Sequence, residues 1–180
     1  LRWIKKMVLG FAICFGLFFL LNILFPVKVD IEYSQIVTAR DGTVLNAFLT
    51  SDDKWRMMTE LSEITPAMQT AIIYKEDKYF YRHPGVNPGA VVRALYNNIT
   101  TGTRTSGAST ITMQVARLLQ PKDRTYGNKF VEMFRALQID MLYSKEEILQ
   151  MYLNLVPYGG NIEGVKAASV LYLEKTPEVL

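Results

Sequence analysis

The sequence has 180 residues, of which 49% are hydrophobic and 21% charged, and its 20 Lys and Arg residues against 17 Asp and Glu give a net charge of +3. This length suits one domain. The single cysteine excludes an internal disulfide and any four-thiolate metal site. The excess positive charge comes from Arg2, Lys5 and Lys6, since the chain after residue 26 carries equal numbers of acidic and basic side chains. A broad basic face for nucleic acid is therefore not expected.

Residues 7–25 form an uncharged run, MVLGFAICFGLFFLLNILF, in which Asn22 is the only strongly polar side chain. As a helix, this run nearly crosses a hydrocarbon core about 30 Å thick. The alternative is a cleaved signal peptide, but such peptides have apolar regions of about 7–15 residues and a small-residue cleavage site. The longer run here ends at Phe25-Pro26 without such a site, which favours an uncleaved membrane anchor.

The charges on the two sides of this run predict its orientation. Basic residues precede it, whereas Lys28, Asp30 and Glu32 follow it, so we expect a cytoplasmic N-terminus and an outer C-terminal part. The predicted divisions are a tail at 1–6, a transmembrane anchor at 7–26, a linker with a β-hairpin at 27–64, and a helical domain at 65–180. A helix start at Thr176-Pro177, so close to the last residue, predicts that this domain is C-terminally incomplete.

The outer part of the chain changes from strand signals to helix signals. Residues 34–50 predict a small β-hairpin, because β-branched and apolar residues flank Asp41-Gly42. Ser144 opens a capping box with Glu147. A capping side chain also precedes a proline suited to the first helical turn at Thr65-Pro66, Asn87-Pro88 and Thr176-Pro177. The predicted helices are 66–82, 88–99, 110–119, 128–143, 145–156 and 162–173, and the fold class is mainly helical.

One face of the first of these helices carries an acid among apolar residues. Met68, Ile72, Glu76 and Phe80 recur every four residues and therefore share that face. A carboxylate that interrupts a stripe directed at the core suits a general acid or base. The alternative is a rim position, in which Glu76 pairs with a basic residue of its own helix.

Three further features carry less weight when each is taken alone. His83, the only histidine, suits a structural hydrogen bond better than a metal site, since no second histidine or cysteine cluster accompanies it. Residues 107–114 combine small residues with a helix start, which is typical of phosphate binding, although a capping serine there is also common. Arg117, Arg124 and Lys129 have spacings that suit either a shared pyrophosphate or separate solvated positions.

Glu132 lies off the apolar stripe of its predicted helix. Lys129 and Arg135 each lie three residues away, which is the spacing of ion pairs on a helix surface. Its position alone therefore predicts a surface pair and not a catalytic role.

Four ordered motifs together resemble the peptidoglycan glycosyltransferase domain, glycosyltransferase family 51, of bifunctional penicillin-binding proteins. Residues 76–85, EDKYFYRHPG, match the first family motif, E-D-x-x-F-x-x-H-x-G. Residues 107–114, GASTITMQ, match the second, G-G-S-T-I-T-Q-Q, with departures at Ala108 and Met113.

The other two motifs lie further along the chain. Residues 129–132, KFVE, fit R-K-x-x-E except that Asn128 stands at the arginine position. Residues 145–154, KEEILQMYLN, fit K-x-x-I-L-x-x-Y-L-N in full. The resemblance covers residues 34–180, and the run 110–119 looks most like the 1C branch of the family.

The resemblance implies polymerisation of lipid II at the outer face of the cytoplasmic membrane. A β-1,4 bond would join the sugars of two undecaprenyl-pyrophosphate-linked substrates, with inversion at the donor sugar. Glu76 would be the base that deprotonates the acceptor hydroxyl, and Glu132 the second carboxylate, which assists the leaving group. The loop 100–109 would be a flap over the cleft. Substrate-binding roles would carry over to Asp77, Phe80, His83, Ser109, Thr110, Gln114, Arg117, Arg124 and Lys129.

The implied fold is a lysozyme-like helical glycosyltransferase domain with a small N-terminal β-hairpin, behind one transmembrane helix. The resemblance implies no obligatory cofactor and leaves a divalent cation, Mg or Mn, open, and no residue is predicted as a metal ligand. The implied partners are lipid II, the growing glycan strand, the membrane and other cell-wall synthesis proteins, without nucleic acid.

Two other functions stay open at this point. A lytic enzyme that cleaves glycan strands also fits one catalytic glutamate in a helical domain, but it has no need of cations for a pyrophosphate. A non-catalytic, membrane-anchored scaffold for cell-wall synthesis is kept open by Asn128 and by the predicted incompleteness of the domain.

Overall fold

Helices make up most of the chain in a computed structural model, which describes residues 2–40, 44–101 and 108–179. The helices are α1 (Arg2–Leu24), α2 (Pro66–Asp77), α3 (Pro88–Thr101), α4 (Ile111–Leu119), α5 (Tyr126–Leu142), α6 (Lys145–Leu155) and α7 (Val165–Leu173). Single turns of 3₁₀ helix cover Leu61–Glu63, Phe80–Arg82 and Pro177–Val179. The mainly helical fold class predicted from the sequence is confirmed.

Side-chain caps fix the first turns of four helices. Hydroxyl oxygens accept hydrogen bonds from the amide three residues ahead at Thr65, Thr110, Thr125 and Ser144. The capping box predicted at Ser144 is confirmed, because the Glu147 carboxylate in turn accepts from the Ser144 amide. Helix α5 begins two residues earlier than predicted because Thr125 caps it.

Two small sheets accompany the helices. Strands β1 (Ile36–Thr38) and β2 (Val44–Ala47) pair antiparallel, which confirms the predicted hairpin, although its Asp41-Gly42 turn lies outside the described residues. Strands β3 (Trp55–Arg56), β4 (Pro157–Gly159) and β5 (Ile162–Glu163) form the second sheet in the order β3-β5-β4. The helix predicted at 162–173 is therefore wrong at its start, since residues 162 and 163 pair with neighbouring strands and α7 begins at 165.

Helix α4 lies at the centre of the core. Its Ile111, Met113 and Val115 side chains are fully buried, and the helix packs against both α5 and α6. Burying each such side chain contributes about 1.5–3 kcal/mol to folding. Met113 packs in a second cluster with Val86 and Ala136. The buried residues that share the larger cluster with Ile111 and Val115 are Ile64, Phe80, Ala116, Ile139, Ile148, Leu149, Tyr152, Leu153 and Val165. This packing fixes the first turn of α4, and the motif residues that lead into it, next to α2 and α5.

Helix α1 is apolar along its length and lies outside the core. It is the one helix in the described ranges that is long and apolar enough to span a membrane. Its 23 residues measure about 35 Å, and none of its side chains is buried, unlike those of a core helix. The helix starts before the anchor predicted at 7–26, because the basic residues that precede the apolar run are also helical. Such a helix fits a membrane anchor.

Gly85 allows the chain that follows the 3₁₀ turn to pass close to α5. Its backbone is left-handed, with φ of +70°, and a Cβ atom there would lie 2.5 Å from the carbonyl oxygen of Ala136. We predict that Gly85→Ala lowers the free energy of unfolding by about 3–4 kcal/mol, because backbone strain adds to a forced displacement of α5. Denaturant unfolding of the detergent-solubilised chain measures this loss.

Gly160→Ala is the matched control for this substitution. Gly160 also has a left-handed backbone, with φ of +53°, but apart from its two chain neighbours no heavy atom of the described residues lies within 4 Å of the position of its Cβ. We expect a loss of about 1–2 kcal/mol from the backbone alone. If both variants lost the same free energy of unfolding, the close approach of Gly85 to Ala136 would not contribute to stability.

Candidate active site

A cleft of about 700 Å³ lies between α3, α4 and α5. Five of the residues predicted to act on a substrate line it: Ser109, Arg117, Arg124, Lys129 and Glu132. Gln114 lies on α4 one turn before Arg117, and Glu76 reaches Gln114 from the end of α2. Helix α6, which carries the fourth motif, also packs against α4, so the four motifs meet around α4.

Glu76 is exposed at the C-terminal end of α2. Its Oε2 atom accepts a hydrogen bond of 3.0 Å from Nε2 of Gln114. The predicted inward-facing position of Glu76 is wrong, because α2 ends at Asp77 and the chain turns there into a 3₁₀ helix. The rim position left open by the sequence is the observed one, although Glu76 bonds there to the side-chain amide of Gln114 on α4 and not to a cation of its own helix. An exposed carboxylate held by a neutral donor can accept a proton from a bound hydroxyl.

Asp77 is the buried acid of α2, and it pairs with His83. Both carboxylate oxygens lie 3.0 Å from Nε2 of His83, and Oδ2 also accepts a 3.2 Å hydrogen bond from the Ile111 amide. That amide belongs to the first turn of α4, where the helix dipole favours a negative charge. The carbonyl of His83 in turn accepts from Nζ of Lys145 at the start of α6. The structural hydrogen bond predicted for His83 is therefore present.

Thr110 and Phe80 complete this buried group. The Thr110 hydroxyl donates to the carbonyl of Gly85 at 2.5 Å, and the Phe80 ring lies 4.8 Å from Nζ of Lys145. Four residues predicted to bind substrate have at most 7% of their surface exposed: Asp77, Phe80, His83 and Thr110. Their side chains bond to or pack against the protein and hold α2, α4 and α6 together. The contacts of these four side chains within the protein are thus defined, and their predicted contacts with a substrate stay predictions.

The cations and the second carboxylate meet on the α5 side of the cleft. Nζ of Lys129 donates to Oγ of Ser109 at 2.6 Å and to Oε1 of Glu132 at 3.1 Å. Arg117 on α4 lies 3.9 Å from the same Glu132 oxygen. The predicted pair of Glu132 with Lys129 is confirmed. The surface setting is wrong, because α5 packs on α4 and turns Glu132 into the cleft.

Arg135 does not take the role predicted for it beside Glu132. One of its terminal nitrogens donates to the carbonyl of Phe25 at 2.5 Å and to Oε1 of Gln138 at 2.8 Å. It thus bonds to the segment that follows α1. The third partner of the ion cluster is Arg117, which sequence spacing alone could not identify because it lies on another helix.

The charge of the cleft is positive. Its described lining contains five basic residues and two acidic ones: Arg117, Lys122, Arg124, Lys129 and Arg135 against Asp123 and Glu132. Arg124 is exposed at the rim, where a charged ligand can reach it. The lining also has an apolar part, made of Val91, Ala94 and Leu95 from α3 and Val131 and Met133 from α5. A phosphorylated ligand with a hydrocarbon portion has the chemistry to match both parts of the lining.

Residues 100–109 were predicted to form a flap over this cleft. Residues 102–107 of that segment, and with them Gly107 of the second motif, lie outside the described residues. Ala108 and Ser109 are described, and both line the cleft.

The fourth motif supplies a residue that sequence reasoning left without a role. Tyr152 on α6 is almost fully buried, and burial, with the nearby Glu76 carboxylate as the next cause, raises the pKa of its hydroxyl. The phenol therefore stays neutral beside the base candidate. Asn154 of the same motif is structural, because its amide group bonds to both the amide and the carbonyl of Thr59 at 2.9 Å.

The described side chains do not by themselves form a divalent-cation site. No group of three or more His, Cys, Asp and Glu residues within the described ranges could hold a metal ion. The Glu132 carboxylate is already compensated by Lys129 and Arg117, which would repel a divalent cation.

Comparison with known proteins gives a consistent result. The sequence model of the Transglycosylase family matches residues 41–180. The chain is 45% identical over 148 residues to penicillin-binding protein 1C of Escherichia coli strain K12, covering 82% of this chain and 19% of that protein. It is 37% identical to penicillin-binding protein 1A of the same strain over 84% of this chain and 18% of that protein. It is 33% identical to penicillin-binding protein 1F of Bacillus subtilis strain 168 over 82% of this chain and 20% of that protein.

The chain spans about a fifth of the length of these curated relatives. The match nevertheless covers most of the chain, and it includes every motif that meets around α4. The chain therefore belongs to the transglycosylase family, glycosyltransferase family 51, which is the peptidoglycan glycosyltransferase domain of the class A penicillin-binding proteins.

Proposed function

We propose that this chain polymerises lipid II into β-1,4-linked glycan strands and releases undecaprenyl pyrophosphate. The observation that carries the proposal is the presence of two kinds of charge at neighbouring positions along one face of α4. The exposed carboxylate of Glu76 bonds to Gln114, and three residues further along Arg117 meets the cluster of Lys129 and Glu132. A displacement at a sugar carbon needs a base beside the nucleophile and positive charge beside the leaving group.

Glu76 is the proposed base. It takes the proton of the acceptor sugar hydroxyl as that oxygen attacks the anomeric carbon of the donor. The bond from this carbon to the phosphate oxygen breaks, and attack from the face opposite the leaving group inverts the anomeric centre. Gln114, which donates to Glu76, holds the carboxylate at the entrance of the site.

The cations stabilise the departing pyrophosphate. Lys129 and Arg117 are directed into the cleft by the shared Glu132 carboxylate, and Arg124 adds a third charge at the rim. A pyrophosphate is already a good leaving group, so charge neutralisation can replace proton donation. Glu132 thus acts by orienting the cations, and Ser109 orients Lys129.

The membrane completes the proposal. Helix α1 fits an anchor, and the basic residues at its start favour a cytoplasmic N-terminus with the cleft on the outer side. An anchored enzyme meets its lipid-linked substrate at a high effective concentration. The apolar part of the lining, from α3 and α5, offers a surface for the first part of the hydrocarbon chain.

We expect Glu76→Gln to lower the turnover of lipid II by about a hundredfold or more, which is the usual contribution of a general base. The amide keeps the hydrogen-bonding shape and loses the ability to accept the proton. Glycan strands formed from labelled lipid II by the detergent-solubilised chain, separated by gel electrophoresis, measure the effect. Thermal unfolding of the variant should match that of the parent, since the side chain is exposed.

Glu146→Gln is the control, because Glu146 is another exposed carboxylate, in the first turn of α6. It should retain activity within a few-fold of the parent. Activity of Glu76→Gln at the level of this control would remove Glu76 as the base. A parent that binds lipid II without forming product would favour the scaffold, and one that shortens preformed strands would favour the lytic enzyme.

Arg124→Gln tests the leaving-group side. We predict that kcat/KM falls about tenfold, because one charge-assisted contact to the pyrophosphate is lost. The melting temperature should not change, since Arg124 is exposed. Arg93→Gln is the matched control, because Arg93 is also exposed but does not line the cleft. Equal kinetics for the two variants would contradict the pyrophosphate site.

A further inference from the structure

Asn22 is the one strongly polar side chain of the apolar run in α1, and the reaction proposed above makes no use of it. Its Oδ1 atom accepts a hydrogen bond of 2.8 Å from Nε2 of Gln138 on α5. This contact joins residues that are 116 positions apart in the sequence. A polar residue that faces a bonded partner from within an apolar helix marks a contact surface of that helix.

Gln138 is fully buried, and its amide group is satisfied by residues of the anchor segment and by its own helix. Besides Asn22, its Nε2 donates to the carbonyl of Phe25 at 3.0 Å. Its Oε1 accepts from Arg135 at 2.8 Å, and the same nitrogen of Arg135 donates to the Phe25 carbonyl. An edge-to-face contact between Phe18 and Phe134, with ring centroids 5.5 Å apart, lies beside these bonds.

This network sits on the helix that carries the cation cluster. Lys129 and Glu132 belong to the first half of α5, and Gln138 follows Glu132 by about 9 Å along the helix axis. Their positions around the helix differ, so α5 presents one face to the cleft and another to α1. Arg135 links the two faces, because it lines the cleft and bonds to the Phe25 carbonyl.

Separation of α1 from α5 would leave the buried Gln138 amide without two of its acceptors. An unsatisfied buried donor is costly, so these bonds favour one fixed arrangement of the anchor on the domain. If this contact opened within the hydrocarbon region, no water would be available there to replace Gln138 as the hydrogen-bond partner of Asn22.

We propose that Asn22, the Phe25 carbonyl, Arg135 and Gln138 form a polar latch that fixes the anchor helix on α5. The latch sets the orientation of the cleft relative to the bilayer, so Asn22 and Gln138 are positioning residues for a membrane-held substrate. The effect on activity rests on the proposed function. The attachment of α1 to α5 stands independently of it.

Cross-linking tests the attachment without any use of activity. Cysteines replace Phe18 and Phe134 in a Cys14→Ala background, and a short bismaleimide joins them within the membrane-reconstituted chain. We expect Asn22→Leu to slow cross-linking by about threefold, the effect of one interhelical hydrogen bond. The exchanged pair Asn22→Gln with Gln138→Asn should restore the rate, because it keeps both amides and their combined length.

Ile23→Leu is the control, since Ile23 is an exposed neighbour on the same helix. It should cross-link at the parent rate. A parent rate for Asn22→Leu as well, or a reduced rate that the exchanged pair does not restore, would overturn the latch.

Kinetics test the positioning role. For lipid II embedded in phosphatidylglycerol vesicles, Asn22→Leu should raise KM about threefold with little change in kcat. With a short-chain, water-soluble lipid II analogue it should leave both constants unchanged. An equal loss of kcat/KM on both substrates would show that Asn22 has a merely structural role, and it would overturn the positioning role. A parent that turns over neither substrate would refute the proposed function, and cross-linking would still decide the attachment.

Discussion

The carboxylate of Asp77 joins parts of the chain that are far apart in the sequence. It accepts from His83 after the 3₁₀ turn and from the Ile111 amide at the start of α4, while Lys145 of α6 bonds to the carbonyl of His83. A buried carboxylate is tolerated only where donors surround it, so these elements must meet at this point. The end of α2, where Glu76 lies, and the start of α4, where Gln114 lies, are placed by the same bonds.

The packing of α4 against its neighbours also determines which charged groups lie at the cleft. Because α4 is held between α2 and α5, two of its side chains, one turn apart, contact separate acids: the Gln114 amide donates to Glu76, and the Arg117 guanidinium lies 3.9 Å from Glu132. Opposite charges within about 4 Å at a half-exposed site hold their side chains in place more than they add to stability. The cations are thereby presented to a ligand without rearrangement, which is the condition for stabilising a charge that develops during a reaction.

Helix α5 serves two surfaces of this lysozyme-like domain. Its first turns carry Lys129 and Glu132, and its later turns carry the buried Gln138 that faces the anchor helix. The same rigid element thus borders the cleft and the membrane-directed helix. Because the residues of a helix keep their relative positions, α5 fixes the orientation of the cleft relative to the anchor helix without a conformational change.

Local signals in the sequence determined the parts of the structure that depend on neighbouring residues. The caps at Thr65 and Ser144, the hairpin and the apolar run of α1 are all set within a few positions, and each was predicted correctly. The two-residue strand β5 was missed, because a strand this short has too few residues for a sequence pattern, and one of its two partners, β3, lies about a hundred residues away.

The site also contains features set by neighbouring residues and features set by distant partners. The motifs identified the residues, and spacing identified the pair of Lys129 with Glu132, since both are matters of sequence distance. Only the tertiary structure decided which acid of the Glu76-Asp77 pair is buried, that Arg117 and not Arg135 joins Glu132, and that Asn22 meets Gln138. The physical reason is that burial and long-range hydrogen bonds depend on how helices pack against one another, which the pattern within a single helix does not contain.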